Sequence, residues 1–411
     1  MTYGGFIPYG RQWIDEDDIA AVVEVLRSDW LTTGPKVKEF EEAFATYVNA
    51  EYAVSFSSGT AALHAAAFAA GFGPGDEVIT TPITFVATAN CILYMGATPV
   101  FADIDPRTYN IDPEQVARKV TPRTKAVIPV HFAGQPCDLD AIHQVAREHG
   151  LVVIEDAAHA LGAEYKGKRI GGLSDMTIFS FHPVKHITTG EGGMVTTNSR
   201  QLYEKLVMFR NHGITREREK WRVWRENIGT NADQYISPQN GFGNSKLAAP
   251  WYYEVQFLGY NYRLSDIQAA LGLSQLKKAD YFLKCREAIA KAYNQGFAHL
   301  PGIIIPYQRD EVRSSWHLYV IQVNERTAGF NRDELFIFLR ERNIGVNIHY
   351  IPVYRQPLYH HLGYCSQDFP GAEGYYHRTL TLPLFSGMKE EEIARVVSTV
   401  TQALKHGDFP S

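Results

Sequence analysis

Between Glu51 and Thr197 the chain repeats one pattern, a short apolar or β-branched run followed by a helical stretch and then another run. The runs are AVSF, EVIT, PVFADI, AVIPVHF, LVVIED, MTIFSF and GMVTT, with stretches such as TAALHAAAFAAG and DLDAIHQVAREHG between them. Strands that are apolar almost throughout have no face to turn to water, so they belong in a sheet covered on both sides. Alternation with helices meets that need when each helix crosses over a largely parallel sheet. The expected fold class is therefore α/β.

Asp15 to Leu26 and Val37 to Tyr47 place apolar residues at helical spacing, which predicts two amphipathic helices ahead of the sheet. From about Thr215 to Tyr253 the rhythm breaks: REREKWRVWREN is charged and GTNADQYISPQNGFGNSKLAAPW is rich in turn formers, as in a long surface insertion. Beyond it LSDIQAALGLSQLKKADYFLKCREAIAKAYNQGF carries a helical stripe, and WHLYVIQV, RDELFIFLRERN, IGVNIHY and EEEIARVVSTVTQAL alternate strand with helix. A chain of 411 residues then divides into a large domain over 1–263, with an N-terminal arm and the insertion at 215–253, and a smaller α/β domain over 264–411.

With 21% charged residues and a net charge of -5, no basic field exists to attract nucleic acid or anionic lipid, and neither is an expected partner. The opening MTYGGFIPYGRQWIDEDD is not a secretory leader and no run is apolar enough to span a bilayer, so a cytoplasmic location and no membrane partner are expected. Cys91, Cys137, Cys285 and Cys365 lack the paired spacing of a metal clip, so no metal is expected. A small-molecule enzyme remains.

Asp156 ends the strand LVVIED, and carboxyl-terminal strand ends in open α/β sheets present ligand groups, although an acid there can also cap a helix just after it. His159 shares its surface if AAHALG turns helically. Lys185 falls between the strand MTIFSF and the loop TTGEGG, where Gly190, Glu191, Gly192 and Gly193 permit a tight return. A loop lysine ordinarily snorkels to water, whereas a buried one holds its proton weakly and can attack an aldehyde and then act as a base. Ser58, Gly59 and Thr60 join a strand to an alanine-rich helix, which makes either an anion site suited to phosphate or a plain helix cap. GFGPGDE and GFGNSKL join no strand to a helix and read as turns.

These pieces, with WLTTGP, TPITFVATAN, IEDAAHALGAEYKGKRIGG, SFHPVKHITTGEGG and GYNYRLSDIQAALGLSQLKK in that order, resemble the sugar aminotransferases of the DegT/DnrJ/EryC1/StrS family over nearly the whole chain. The resemblance implies fold type I of the pyridoxal 5′-phosphate enzymes, with that cofactor. It implies that Lys185 holds the cofactor as a Schiff base and moves the proton, that Asp156 pairs with the pyridine nitrogen and that His159 lies by the ring. It further implies that Phe85 stacks on the ring, a residue that core packing would also suit, and that Gly59, Thr60 and Ser180 receive the phosphate. Asn261 would reach the phosphate of a neighbouring subunit, giving a homodimer with shared active sites.

Within the family, FHPVKHITTGEGG, APWYYEVQFLGYNYRL and HYIPVYRQPLYHHLGY are similar to the transaminases of pseudaminic acid biosynthesis. That likeness implies L-glutamate as amino donor and a UDP-linked 4-keto-6-deoxy-N-acetylhexosamine aminated at C4. Tyr9, Trp30, Leu31, Thr32, His349 and Tyr350 would contact the sugar nucleotide, although packing between two domains would employ the same side chains. Other readings stay open: a sister enzyme for another dTDP, GDP or UDP keto sugar, a dehydratase of the same fold in which histidine replaces the lysine, and a nucleotide-sugar sensor without chemistry. Trp221, Arg222, Trp224, Arg225 and Trp251 suit a loop closing over uracil and diphosphate, or one pinned to the protein or a second subunit.

Overall fold

A computed structural model of the chain describes residues 5–222 and 251–406. All seven expected runs form strands: β1 Tyr52–Phe56, β2 Glu77–Thr80, β3 Thr98–Phe101, β4 Thr124–Ile128, β5 Val152–Asp156, β6 Met176–Ser180 and β7 Gly193–Thr197. They make one sheet in the order β1-β7-β6-β5-β4-β2-β3. The pairs β6–β5, β5–β4, β4–β2 and β2–β3 are parallel, and β7 runs antiparallel to both β1 and β6.

Successive residues along these strands enter different cores, as the two-residue period of a pleated strand requires. Ile79, Val127 and Val153 pack in one cluster with Phe40, Phe44 and Phe179, while Val78, Ile128 and Ile154 pack in another with the alanine-rich helix Gly59–Ala69. Each fully buried side chain of this size contributes about 1.5–3 kcal/mol. The sheet is therefore fixed on both faces, and only its edges can carry a site.

The predicted N-terminal helices span Glu16–Leu26 and Pro35–Val48, the first closed by a capping box between Asp15 and Asp18. Both pack on the helix Asp266–Leu276. The sequence pattern puts that helix at the start of the smaller domain, yet Leu264, Ala269 and Leu276 join the large sheet's core, because its apolar stripe faces the two N-terminal helices. Core residues of the smaller unit begin at Ile289, in the long helix Ala279–Phe297, and include Ile7 from the N-terminal arm. The smaller unit holds an antiparallel sheet of β8 Ile303–Ile304, β9 Tyr319–Val323 and β10 Thr379–Leu382, in that order.

An aromatic cluster including Phe101, Tyr109, Phe132, Tyr354, Phe369 and Tyr375 joins the smaller unit to the large one. At the insertion, Ile214–Thr215 pairs antiparallel with Glu254–Val255 and closes its base. Trp221 is buried against Tyr252, with ring centres 4.7 Å apart, whereas Trp251 is exposed; Trp224 and Arg225 lie outside the described residues. Trp221 thus packs against the returning arm at the base of the insertion.

Candidate active site

Because all strands of the large sheet but β7 point the same way, the segments leaving β1, β2, β4, β5 and β6 meet at one edge, where a cavity of about 520 Å³ opens. Its wall includes Ser58, Gly59 and Thr60 after β1, Phe85 and Thr88 after β2, Asp156 at the end of β5, and Ser180 and Lys185 at and after β6. The smaller unit adds His317, Asn347, His349 and Tyr350, and the N-terminal arm adds Tyr9.

Asp156 is buried, and its carboxylate accepts a hydrogen bond from Thr88 Oγ1 at 2.7 Å and another from Ala158 N at 3.1 Å. No helix follows it, so helix capping does not account for it; AAHALG forms turns, and these still bring His159 into the cavity wall. His159 Nε2 lies 3.0 Å from the Tyr350 hydroxyl, and its Nδ1 has no partner among the described residues.

Burial lowers the proton affinity of Lys185 to a pKa of about 8, against a smaller opposing pull from Asp156. Burial, helped by the positive charge of Lys185, holds His159 well below the ordinary histidine range and His349 at about 3. The imidazoles around the lysine are accordingly neutral near pH 7.

Ser58 caps the helix Gly59–Ala69 by accepting from Ala61 N at 3.1 Å, which leaves the first helical N–H groups facing the cavity. Gly59 lies so close to Ser180 that an added Cβ would stand 3.0 Å from the serine Cβ. Phe85 is 58% exposed although it lines the cavity, so it does not serve core packing. An amine that holds its proton weakly, a buried acid, an open aromatic face and an anion cradle can together receive a phosphorylated aromatic aldehyde.

Not every expected residue is here. Trp30, Leu31, Thr32 and Asn261 do not line this chain's cavity: Trp30 and Leu31 are 54% and 49% exposed, Thr32 bridges Ser265, and Asn261 bridges Asn211 on the exposed surface. Thr88 and His317 line it without having been expected from the sequence. Nothing marks Thr88 within TPITFVATAN, whereas a histidine near the start of the apolar run WHLYVIQV is a signal open to reading.

The family model described as the DegT/DnrJ/EryC1/StrS aminotransferase family matches residues 12–401. Over 405 residues the chain is 47% identical to the spore coat polysaccharide biosynthesis protein SpsC of Bacillus subtilis, covering 98% of each. Helicobacter pylori PseC, an aminotransferase involved in the biosynthesis of pseudoaminic acid, superposes with a TM-score of 0.85 at 33% identity over 97% of this chain and 99% of its own. The PLP-form of the putative sugar aminotransferase Spr1654 from Streptococcus pneumoniae gives 0.85 at 31% identity, over 97% of this chain and 99% of its own.

Proposed function

The chain belongs to the DegT/DnrJ/EryC1/StrS aminotransferase family, and from that premise we propose that it moves an amino group from L-glutamate to C4 of a UDP-linked 4-keto-6-deoxy-N-acetylhexosamine, as a cytoplasmic homodimer serving surface-glycan biosynthesis of the pseudaminic acid type. The cofactor is pyridoxal 5′-phosphate, as in the matched PLP-form structure. When bound, it supplies an aldehyde that exchanges amino groups and a ring that accepts electrons.

The observation that carries the reading is the convergence of Lys185, Asp156 and the Gly59 cradle on one cavity. Lys185, with its proton affinity depressed, is the nucleophile and, in each half-reaction, would move a proton between the substrate carbon and the bound cofactor. Asp156, oriented by Thr88, holds a proton on the ring nitrogen. Gly59 and Thr60 N–H groups and the Ser180 hydroxyl hold the phosphate, Phe85 covers the ring, and His159 flanks it. Tyr9, His349 and Tyr350 border the same cavity and are assigned to the sugar.

Trp30, Leu31, Thr32 and Asn261 act, on this reading, in the cavity of a second copy. Exposed apolar residues support an interface on this chain: Tyr94 and Tyr260 pack at a tilt on His64, next to the lining residue Leu63, and Val255 and Leu258 are 59% and 79% exposed.

A sister reading, in which the acceptor is another nucleotide-linked keto sugar, is favoured by the higher identity to SpsC than to PseC. Incubation with glutamate and a panel of UDP- and dTDP-linked 4-keto-6-deoxy sugars decides between them. Amination of the UDP-linked N-acetyl sugar alone supports the first, amination of a dTDP sugar alone supports the second, and no transfer to any sugar defeats both.

A further inference from the structure

His317 precedes β9 on a backbone knuckle in which nearly every polar group of Ser314 to Trp316 has a structural duty. Trp316 sits in the left-handed region at φ +49°, which a bulky side chain ordinarily avoids. Its N–H donates to Ser314 Oγ at 3.1 Å, and its carbonyl, like those of His317 and Leu384, accepts from Arg286 Nη1 at 3.2 Å. Arg286 is fully buried. Ser315 Oγ donates to the carbonyl of His159 at 2.7 Å, and Ser315 O accepts from His186 Nε2 at 3.0 Å, which ties this knuckle to the loop that bears Lys185. Gly134 closes the back at φ +101°, where a Cβ would stand 2.5 Å from Ser315 Oγ.

This scaffold delivers the His317 ring to the lysine. Nε2 lies 3.5 Å from Lys185 Nζ, and the ring centre is 4.3 Å from that of His159. Nδ1 is buried with no partner among the described residues. A buried N–H without an acceptor is harder to tolerate than a lone pair without a donor, so the proton belongs on Nε2, facing the amine.

We propose that His317 is a positioning residue for Lys185, its Nε2–H donating to the Nζ lone pair once the amine has given up its proton and aiming it into the cavity. The inference rests on the proposed function, in which Lys185 is the reacting lysine. Burial, with His159, Lys185, His186 and Arg286 nearby, keeps His317 well below the ordinary histidine range, so it stays neutral while the amine works. Lys185 itself is faced by Asp156, Arg286, His159, His186 and His349, all of which stay in place when His317 alone is replaced.

The test uses His317→Leu and His317→Gln in cofactor-loaded protein, reading the pH midpoint of the visible absorbance without substrate alongside kcat and KM for glutamate. Leucine is expected to shift that midpoint by about half a unit or more and to lower kcat roughly tenfold with KM within about twofold, whereas glutamine, which keeps an N–H near the amine, recovers kcat to within about threefold. If the leucine variant does not fold, His317→Asn, whose amide falls short of Nζ, takes its place. An unmoved midpoint with unchanged kcat overturns the inference. So does a lowered unfolding temperature with a raised KM in both variants and no movement of the midpoint. A Lys185→Ala control separates the two levels: turnover surviving there would overturn the proposed function itself.

Discussion

Gly59→Ala tests the phosphate cradle with one methyl group. The added Cβ would meet Ser180 Cβ at 3.0 Å and Oγ at 3.2 Å, so Ser180 must retreat by a few tenths of an ångström. Overpacking of this kind costs about 1–3 kcal/mol, against a helix-propensity gain from alanine of at most about 1 kcal/mol, leaving the fold weakened by roughly 0–3 kcal/mol. The cofactor should feel more. Losing one hydrogen bond to a charged phosphate removes about 1.5–3 kcal/mol, which at about 1.4 kcal/mol per decade means roughly ten- to 150-fold weaker binding. Absorbance titration of cofactor-stripped protein with pyridoxal phosphate measures this, with thermal unfolding recorded beside it. Gly73→Ala is the matched control, since a Cβ there meets nothing within 4 Å. If Gly59→Ala binds the cofactor within twofold of the parent while Gly73→Ala does the same, the phosphate does not lie against Gly59 and Ser180.

The same geometry makes two further outcomes testable. Lys185 has a pKa of about 8 when folded and 10.5 ordinarily, so between these values the unfolded chain binds the extra proton and the cofactor-free fold gains stability as pH rises. The gain is at most about 3 kcal/mol and less where cavity water screens the amine, and it should be missing from Lys185→Met; denaturant midpoints at both ends of the window that move in parallel for the two proteins would disprove it. For the shared site, mixing Asn261→Ala chains with Lys185→Ala chains should restore activity, because one heterodimer site then has both native residues. A fully active monomer, or no recovery after confirmed subunit exchange, would remove Asn261 from the partner's site.

Much of the large unit was legible because strands buried on both faces leave a local signature. Val153 and Ile154 go to opposite cores, so neither can be polar, and an apolar run in sequence becomes a central strand in space. Asp156 and Lys185 were legible for the complementary reason, since each is a charge placed at the end of such a run. An apolar stripe says that a helix packs without saying on what, which is why the helix Asp266–Leu276 reads from sequence as part of the smaller domain although it packs on the N-terminal helices. Trp30, Leu31 and Asn261 could be named only through resemblance, since nothing in their local sequence ties them to the cavity and none of them lines it.

Burial at the reacting centre, by contrast, has no local signature. Lys185 belongs to the large unit, while His317, His349 and Tyr350 come from the smaller one, more than a hundred residues on. Their contact depends on the aromatic cluster that joins the units, in which Phe132 touches the ring of Tyr350 and packs beside Tyr109 and Tyr375. The same exclusion of water depresses the lysine, His159, His317 and His349 together, because desolvation is the largest influence on each. Separating the units would hydrate all four at once and return the amine to its ordinary, tighter hold on its proton. On the proposed function, the nucleophile is therefore made by the packing of two units around an otherwise ordinary lysine, and changes at Phe132 or Tyr375, which do not line the cavity, are expected to act on the chemistry through that packing.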